Sequence, residues 1–115
     1  MKKLLLLTLV LLGGFSTAFA DDPTYNIYVK SSNPGDCYIY VWDASEGNTT
    51  TGYGDKLSTL NTTILNGTTY YKKTVKGTYS FLCNNGSWDA DKKTSDQTNK
   101  SEDLYIEYNG GNVLT

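Results

Sequence analysis

Turn-forming clusters interrupt this chain every few residues, and no fold needing long uninterrupted elements can accommodate them. They fall at Asn33-Pro34-Gly35-Asp36, Gly47-Asn48, Asn66-Gly67, Lys76-Gly77, Asn84-Asn85-Gly86 and Asn109-Gly110-Gly111. Between them run short segments rich in Tyr, Val, Ile and Thr, whose branched or flat side chains suit a pleated, half-buried surface. The pattern predicts strands over 25–30, 37–43, 56–60, 70–75, 79–83 and 104–108, with a last one over 112–114. No window carries a helical period. Residues 89–103 are long, charged and nearly free of apolar side chains, and read as a loop. The expected architecture is all-β, a small immunoglobulin-like antiparallel β-sandwich.

Residues 1–20 stand apart from that pattern. Lys2 and Lys3, the apolar run Leu4 to Leu12 and the small-x-small end Ala18-Phe19-Ala20 predict a secretory signal peptide cut after Ala20. Residues 21–115 then form one domain, with eight lysines against twelve acids and a net charge of −4. The expectation is a soluble exported protein, extracellular or periplasmic, with no membrane span in the mature chain. His and Arg are absent, which removes Ser-His-Asp and Cys-His catalysis, His-ligated metal and bidentate phosphate recognition. A net-acidic chain without a basic stripe is also a poor nucleic-acid binder.

Cys37 and Cys83 are the only cysteines. Export would let them pair, and a bridge closing so long a loop is worth about 4 kcal/mol in the chain-entropy model. The other state open to them is two buried thiols acting as small apolar groups.

In Cys37-Tyr38-Ile39-Tyr40-Val41-Trp42 the odd positions are small or aliphatic and the even ones aromatic. Side chains alternate across a strand, so Ile39 and Val41 belong to the core while Tyr38 and Tyr40 mount two rings on the other face, about 7 Å apart. Trp42 shares their parity but sits at the strand end, where edge packing is the leading reading. Phe81 reads as core. Tyr70 and Tyr71 fall on opposite faces, one inward and one outward.

The order of these motifs resembles that of the starch-binding modules of carbohydrate-binding module family 26, and more loosely family 25. The resemblance runs through Ile27-Tyr28-Val29-Lys30, Cys37 to Asp43, Gly52-Tyr53-Gly54-Asp55-Lys56-Leu57, Tyr70-Tyr71-Lys72, Phe81 to Gly86 and Lys93-Thr94-Ser95-Asp96. It covers essentially all of residues 21–115. It implies a β-sandwich that binds α-1,4-glucans (starch, glycogen, maltooligosaccharides) without cleaving them, alone or with an amylase or a surface glucan-capture complex in trans. The family's Tyr-x-Tyr falls on Tyr38 and Tyr40. Its third ring, usually Trp, falls on Tyr53, a departure that reduces stacking area. Its polar contacts fall on Asn85, Lys93 and Thr94. Trp88, in the loop between those motifs, is unusual for the family and reads either as an auxiliary stacking ring or as packing.

A pyranose has apolar C–H faces and a rim of hydroxyls, which calls for rigid aromatic area below and hydrogen-bonding groups at the edge. Each such hydrogen bond nets only about 1 kcal/mol, since the hydroxyl was already bonded to water. Binding in the micromolar-to-millimolar range follows, roughly −4 to −8 kcal/mol. The competing reading is a secreted immunoglobulin-like adhesion or envelope-structural domain whose tyrosines meet a protein partner. An enzyme is disfavoured: Asp36, Asp43, Asp55, Asp89, Asp91 and Asp96 lack the apolar setting that raises a carboxyl pKa. Asp89-Ala90-Asp91 lacks the spacing of a calcium loop. No cofactor is expected.

Overall fold

The computed structural model describes residues 22–115; the expected signal peptide lies outside them. Eight strands form two four-stranded sheets: β1 (Thr24–Lys30), β2 (Tyr38–Trp42), β3 (Asp55–Lys56), β4 (Asn61–Leu65), β5 (Thr68–Lys76), β6 (Tyr79–Asn84), β7 (Gln97–Lys100) and β8 (Leu104–Glu107). One sheet has the order β4-β5-β1-β8 and the other β3-β2-β6-β7. The fold is an all-β sandwich. Its pairs are antiparallel except one: β8 lies parallel to β1, with Tyr28 opposite Tyr105. No helix among the described residues is long and apolar enough to cross a membrane.

Ile27 and Val29 from β1, Val75 from β5, Ile39 and Val41 from β2, and Tyr79, Phe81 and Cys83 from β6 meet between the sheets, joined by Cys37, Leu57, Ile106 and Tyr108. Two of these are tyrosines with no exposed surface, and both hydroxyls are satisfied: Tyr79 donates to the Glu102 carbonyl at 2.8 Å and Tyr108 to the Lys92 carbonyl at 3.1 Å. Lys73, opposite Ile27 in register, also faces inward. Its Nζ reaches Asp55 Oδ2 at 2.6 Å, joining the two sheets beside the loop that carries Tyr53.

Several elements differ from the sequence expectation. Only Asp55 and Lys56 of the segment 56–60 and its approach pair as a strand; Leu57–Thr59 forms a 3-10 turn. There Thr59 Oγ1 donates to the Lys56 carbonyl, competing with strand pairing, while Leu57 is buried. Strand β4 was not expected, being an edge strand of mostly exposed residues. It enters through the Asn66-Gly67 turn, whose φ values of 51° and 81° are those of a two-residue type I′ hairpin, a geometry that needs a strand on each side. Strand β7 lies inside the expected loop 89–103 and is wholly polar, holding to β6 through an irregular register. Residues 112–114 form no strand; Thr115 exchanges one pair of backbone hydrogen bonds with Glu107.

Of the two states open to Cys37 and Cys83, the structure shows the second, without a bridge. Both cysteines are free and buried. Cys83 stands opposite Ile39 rather than opposite Cys37, and a diagonal cross-strand pair is about 7–8 Å apart, beyond ordinary disulfide reach. Burial pushes both thiols above their usual range, so they behave as small apolar groups.

Candidate functional site: an arc of aromatic rings

The outer face of β2 carries Tyr38, Tyr40 and Trp42, all half-buried, while Ile39 and Val41 point into the core. Two further rings come from loops. Tyr53 lies on the approach to β3, its ring centroid 6.0 Å from that of Tyr38. Trp88 lies 5.3 Å from Tyr53 and 5.4 Å from Tyr40, and Tyr40 is 6.2 Å from Trp42. The rings therefore form one continuous series: Tyr38, Tyr53, Trp88, Tyr40, Trp42. Successive planes are inclined by 52°, 40°, 83° and 50°. No two neighbours are coplanar.

The sequence predicts an open pair of rings at Tyr38 and Tyr40 with Tyr53 beside them. The structure brings these three together, but Trp88 stands edge-on to Tyr40, and the best exposed rings are Trp88 at 45% and Tyr53 at 37%. The reason is the path of the loop after β6. Gly86 N–H donates to Asn84 Oδ1, Asp89 N–H to Ser87 Oγ, and Lys92 N–H to the Asp89 carbonyl, while the Lys92 carbonyl accepts from Asn85 N–H and Tyr108 Oη. These bonds fold residues 86–92 into a tight turn beside the sheet, with Trp88 on the ring side.

Tyr53 is held with equal care. Gly54 follows it with φ 113°, and a Cβ there would lie 2.1 Å from the Ile39 carbonyl oxygen and 3.0 Å from Tyr40 Cα. Only glycine lets the loop approach β2 this closely. From the other side Asn84 Nδ2 donates to the Tyr53 carbonyl at 2.9 Å.

The polar residues divide differently from expectation. Cross-strand register places Lys56, Tyr38, Asn84 and Lys93 in one row, and side chains of directly paired residues share a face. Lys93 therefore stays with the rings, half-buried. Asn85 does not: its Nδ2 donates to the Gly110 carbonyl at 2.7 Å, fixing the turn to the C-terminal loop. Thr94 does not either. It is 1% exposed, and its Oγ1 accepts from Cys83 N–H at 3.0 Å while donating to the Ser95 carbonyl. In this structure Asn85 Nδ2 is engaged with backbone and Thr94 is buried with its hydroxyl on backbone, so neither is presented with the rings. Sequence reasoning missed Asn84 and Lys56. Asn84 is buried on the ring side, and Lys56 Nζ lies 5.8 Å from the Tyr38 ring centroid, within cation–π reach. Tyr38 is the signal that could have found both, since its cross-strand partners are fixed by register.

Among the described residues no three His, Cys, Asp or Glu side chains gather as a metal ion would require. A half-open hollow of about 450 Å³ lies on the opposite sheet, against Tyr70 and Tyr105. The protein matches no protein-family model, no curated protein and no solved structure.

Proposed function

We propose that this protein is a non-catalytic starch-binding domain, exported by the signal peptide expected at residues 1–20, that takes α-1,4-glucans onto the arc formed by Tyr38, Tyr53, Trp88, Tyr40 and Trp42. The observation that carries this reading is the inclination of 40° to 83° between neighbouring rings. A flat row would suit a straight glucan, whereas inclined rings match the turning faces of an α-linked one. Trp88 and Tyr53 supply the exposed stacking area, Tyr38 and Tyr40 support them from the strand, and Lys93 and Lys56 stand at the ends of the Tyr38 row as donors to sugar hydroxyls. The order of motifs shared with carbohydrate-binding module family 26 supports the same ligand. Trp88 offsets the smaller third ring at Tyr53.

Native gel electrophoresis with starch in the matrix tests this. The wild-type domain is retarded by starch and glycogen but not by soluble cellulose derivatives, and Tyr40→Ala is retarded less than wild type while keeping the wild-type circular dichroism spectrum. Equal mobility of the wild type with and without starch, glycogen and maltooligosaccharides overturns the proposal. Retention by a protein ligand instead would favour the adhesion or envelope reading.

A further inference from the structure

The opposite face of the sandwich bears a second aromatic group that the arc does not use. Tyr28 and Tyr105 are directly paired between β1 and β8, and their rings stack with centroids 4.6 Å apart and planes within 6°. Tyr70 of β5 stands perpendicular to both, at 79°, 6.3 Å from Tyr28 and 5.8 Å from Tyr105. Tyr71, its neighbour, packs against the core instead. The result is a right-angled corner: a rigid slab of two stacked rings on one side and a third ring on the other.

The open side of that corner is a half-open hollow of about 450 Å³, lined by Tyr70, Tyr105, Leu65, Asn66 and Thr68, at the small end of the range for ligand sites. Tyr105 is 56% exposed. Asn66, in the left-handed region at the hairpin tip, brings an amide to the rim, and Thr68 a hydroxyl. None of the five lining residues carries charge. Aromatic walls with amide and hydroxyl groups at the edge suit a neutral ring with apolar faces and a hydroxyl rim. An anion would find no cationic partner among the lining residues, and a cation no carboxylate.

We propose that the Tyr70–Tyr105 corner is a second saccharide site, taking one or two residues of a neutral glucan, so that each domain binds two glucan segments. The proposal rests on the glucan-binding reading for the identity of the sugar, but not on its location. Two packed sheets, each about 10 Å from the other, separate the corner from the arc. A short oligosaccharide cannot touch both, and one long polymer or two different chains can. Bivalence raises avidity for a polymer above affinity for its oligomers, and lets the domain cross-link chains.

Counting sites by calorimetric titration with maltoheptaose tests the proposal. Wild type binds two molecules per chain; Tyr105→Ala and Tyr40→Ala each bind one, and the double variant none. Tyr105 lies outside the core, so its truncation leaves the fold in place. Asn66→Gly keeps the positive-φ turn while removing the amide, and weakens the second site about fivefold, the value of one hydrogen bond. One site, lost in Tyr40→Ala and unchanged in Tyr105→Ala and Asn66→Gly, overturns the second site and leaves the arc standing. One site lost only in Tyr105→Ala supports the corner and overturns the arc. No binding by wild type overturns both.

Discussion

Asn84, buried on the ring side of β6, donates its amide to the Tyr53 carbonyl at 2.9 Å and accepts from Gly86 N–H at 2.9 Å through its other end. One side chain thus fixes both loops that deliver rings to the arc. Neither Tyr53 nor Trp88 lies on a strand, so their positions depend on such ties.

Removing the tie has a cost in stability and in binding. Asn84→Ala strands the Tyr53 carbonyl and the Gly86 N–H, each part-buried, and a lost pair of this kind costs about 1–3 kcal/mol. Urea unfolding should show a lower midpoint with an unchanged slope. Starch retardation should fall further than in a variant destabilised equally from the distant sheet. Binding equal to that of such a control would assign Asn84 to stability alone.

Trp88 and Tyr53 are the most exposed rings of the arc, so their truncation separates binding from folding. Trp88→Ala and Tyr53→Ala should each weaken maltoheptaose binding about tenfold, corresponding to roughly 1.4 kcal/mol, with thermal midpoints within a few degrees of wild type. Tyr53→Trp, which restores the larger ring, should bind more tightly than wild type. Affinities unchanged by both truncations would move the site off the arc.

Gly54 makes a sharper structural prediction. Its Cβ would meet the backbone of Ile39 at 2.1 Å, where no flexible side chain can yield. Gly54→Ala should push the Tyr53 loop away from β2 and destabilise the domain by about 1–3 kcal/mol, the range for backbone strain at a special conformation. Loss of the Tyr38–Tyr53 contact by NMR checks it.

Alkaline stability follows from the buried tyrosines. Desolvation, reinforced by the Asp103 and Glu102 charges and by Tyr25, pushes the Tyr79 phenol up to about 12. Burial likewise raises Tyr108 and both thiols. In the unfolded chain a tyrosine loses its proton near pH 10. The native state therefore holds more protons than the unfolded one above that pH, and stability falls with rising pH. Full stability should persist below about pH 8.5, where the thiols of the unfolded chain begin to ionise, and decline through pH 10 towards pH 12, with Tyr79 ionising only as the domain unfolds. Denaturant midpoints followed alongside tyrosinate absorbance test this; early, fully reversible titration of every tyrosine would contradict it.

The free thiols can be counted directly. Alkylation of the unreduced, unfolded protein should add two groups, and the folded protein should add none, since Cys37 and Cys83 have no exposed surface. A mass unchanged without reductant would restore the bridge.

Much of this molecule was legible in its sequence. Alternation in 37–42 assigned Ile39 and Val41 to the core and Tyr38 and Tyr40 to the outer face, because a strand's period of two leaves no other arrangement once one face is buried. The same reasoning split Tyr70 from Tyr71. Edge strands β4 and β7 escaped because alternation records burial, and their residues are largely exposed or wholly polar; the Asn66-Gly67 turn was the remaining clue to β4. What only the tertiary structure decided is which polar groups are free and where the loop rings go. Asn85 and Thr94 look like ligand contacts in a linear motif, but Asn85 Nδ2 is bonded to the Gly110 carbonyl and the buried Thr94 hydroxyl to the β6 backbone. Trp88 becomes the middle of the arc because hydrogen bonds within residues 84–92 and from Tyr108 fold its loop back on itself beside the sheet. Periodicity is a local property of the chain, whereas hydrogen-bond satisfaction and loop docking depend on partners distant in sequence, so the strand rings could be read in advance and the site they complete could not.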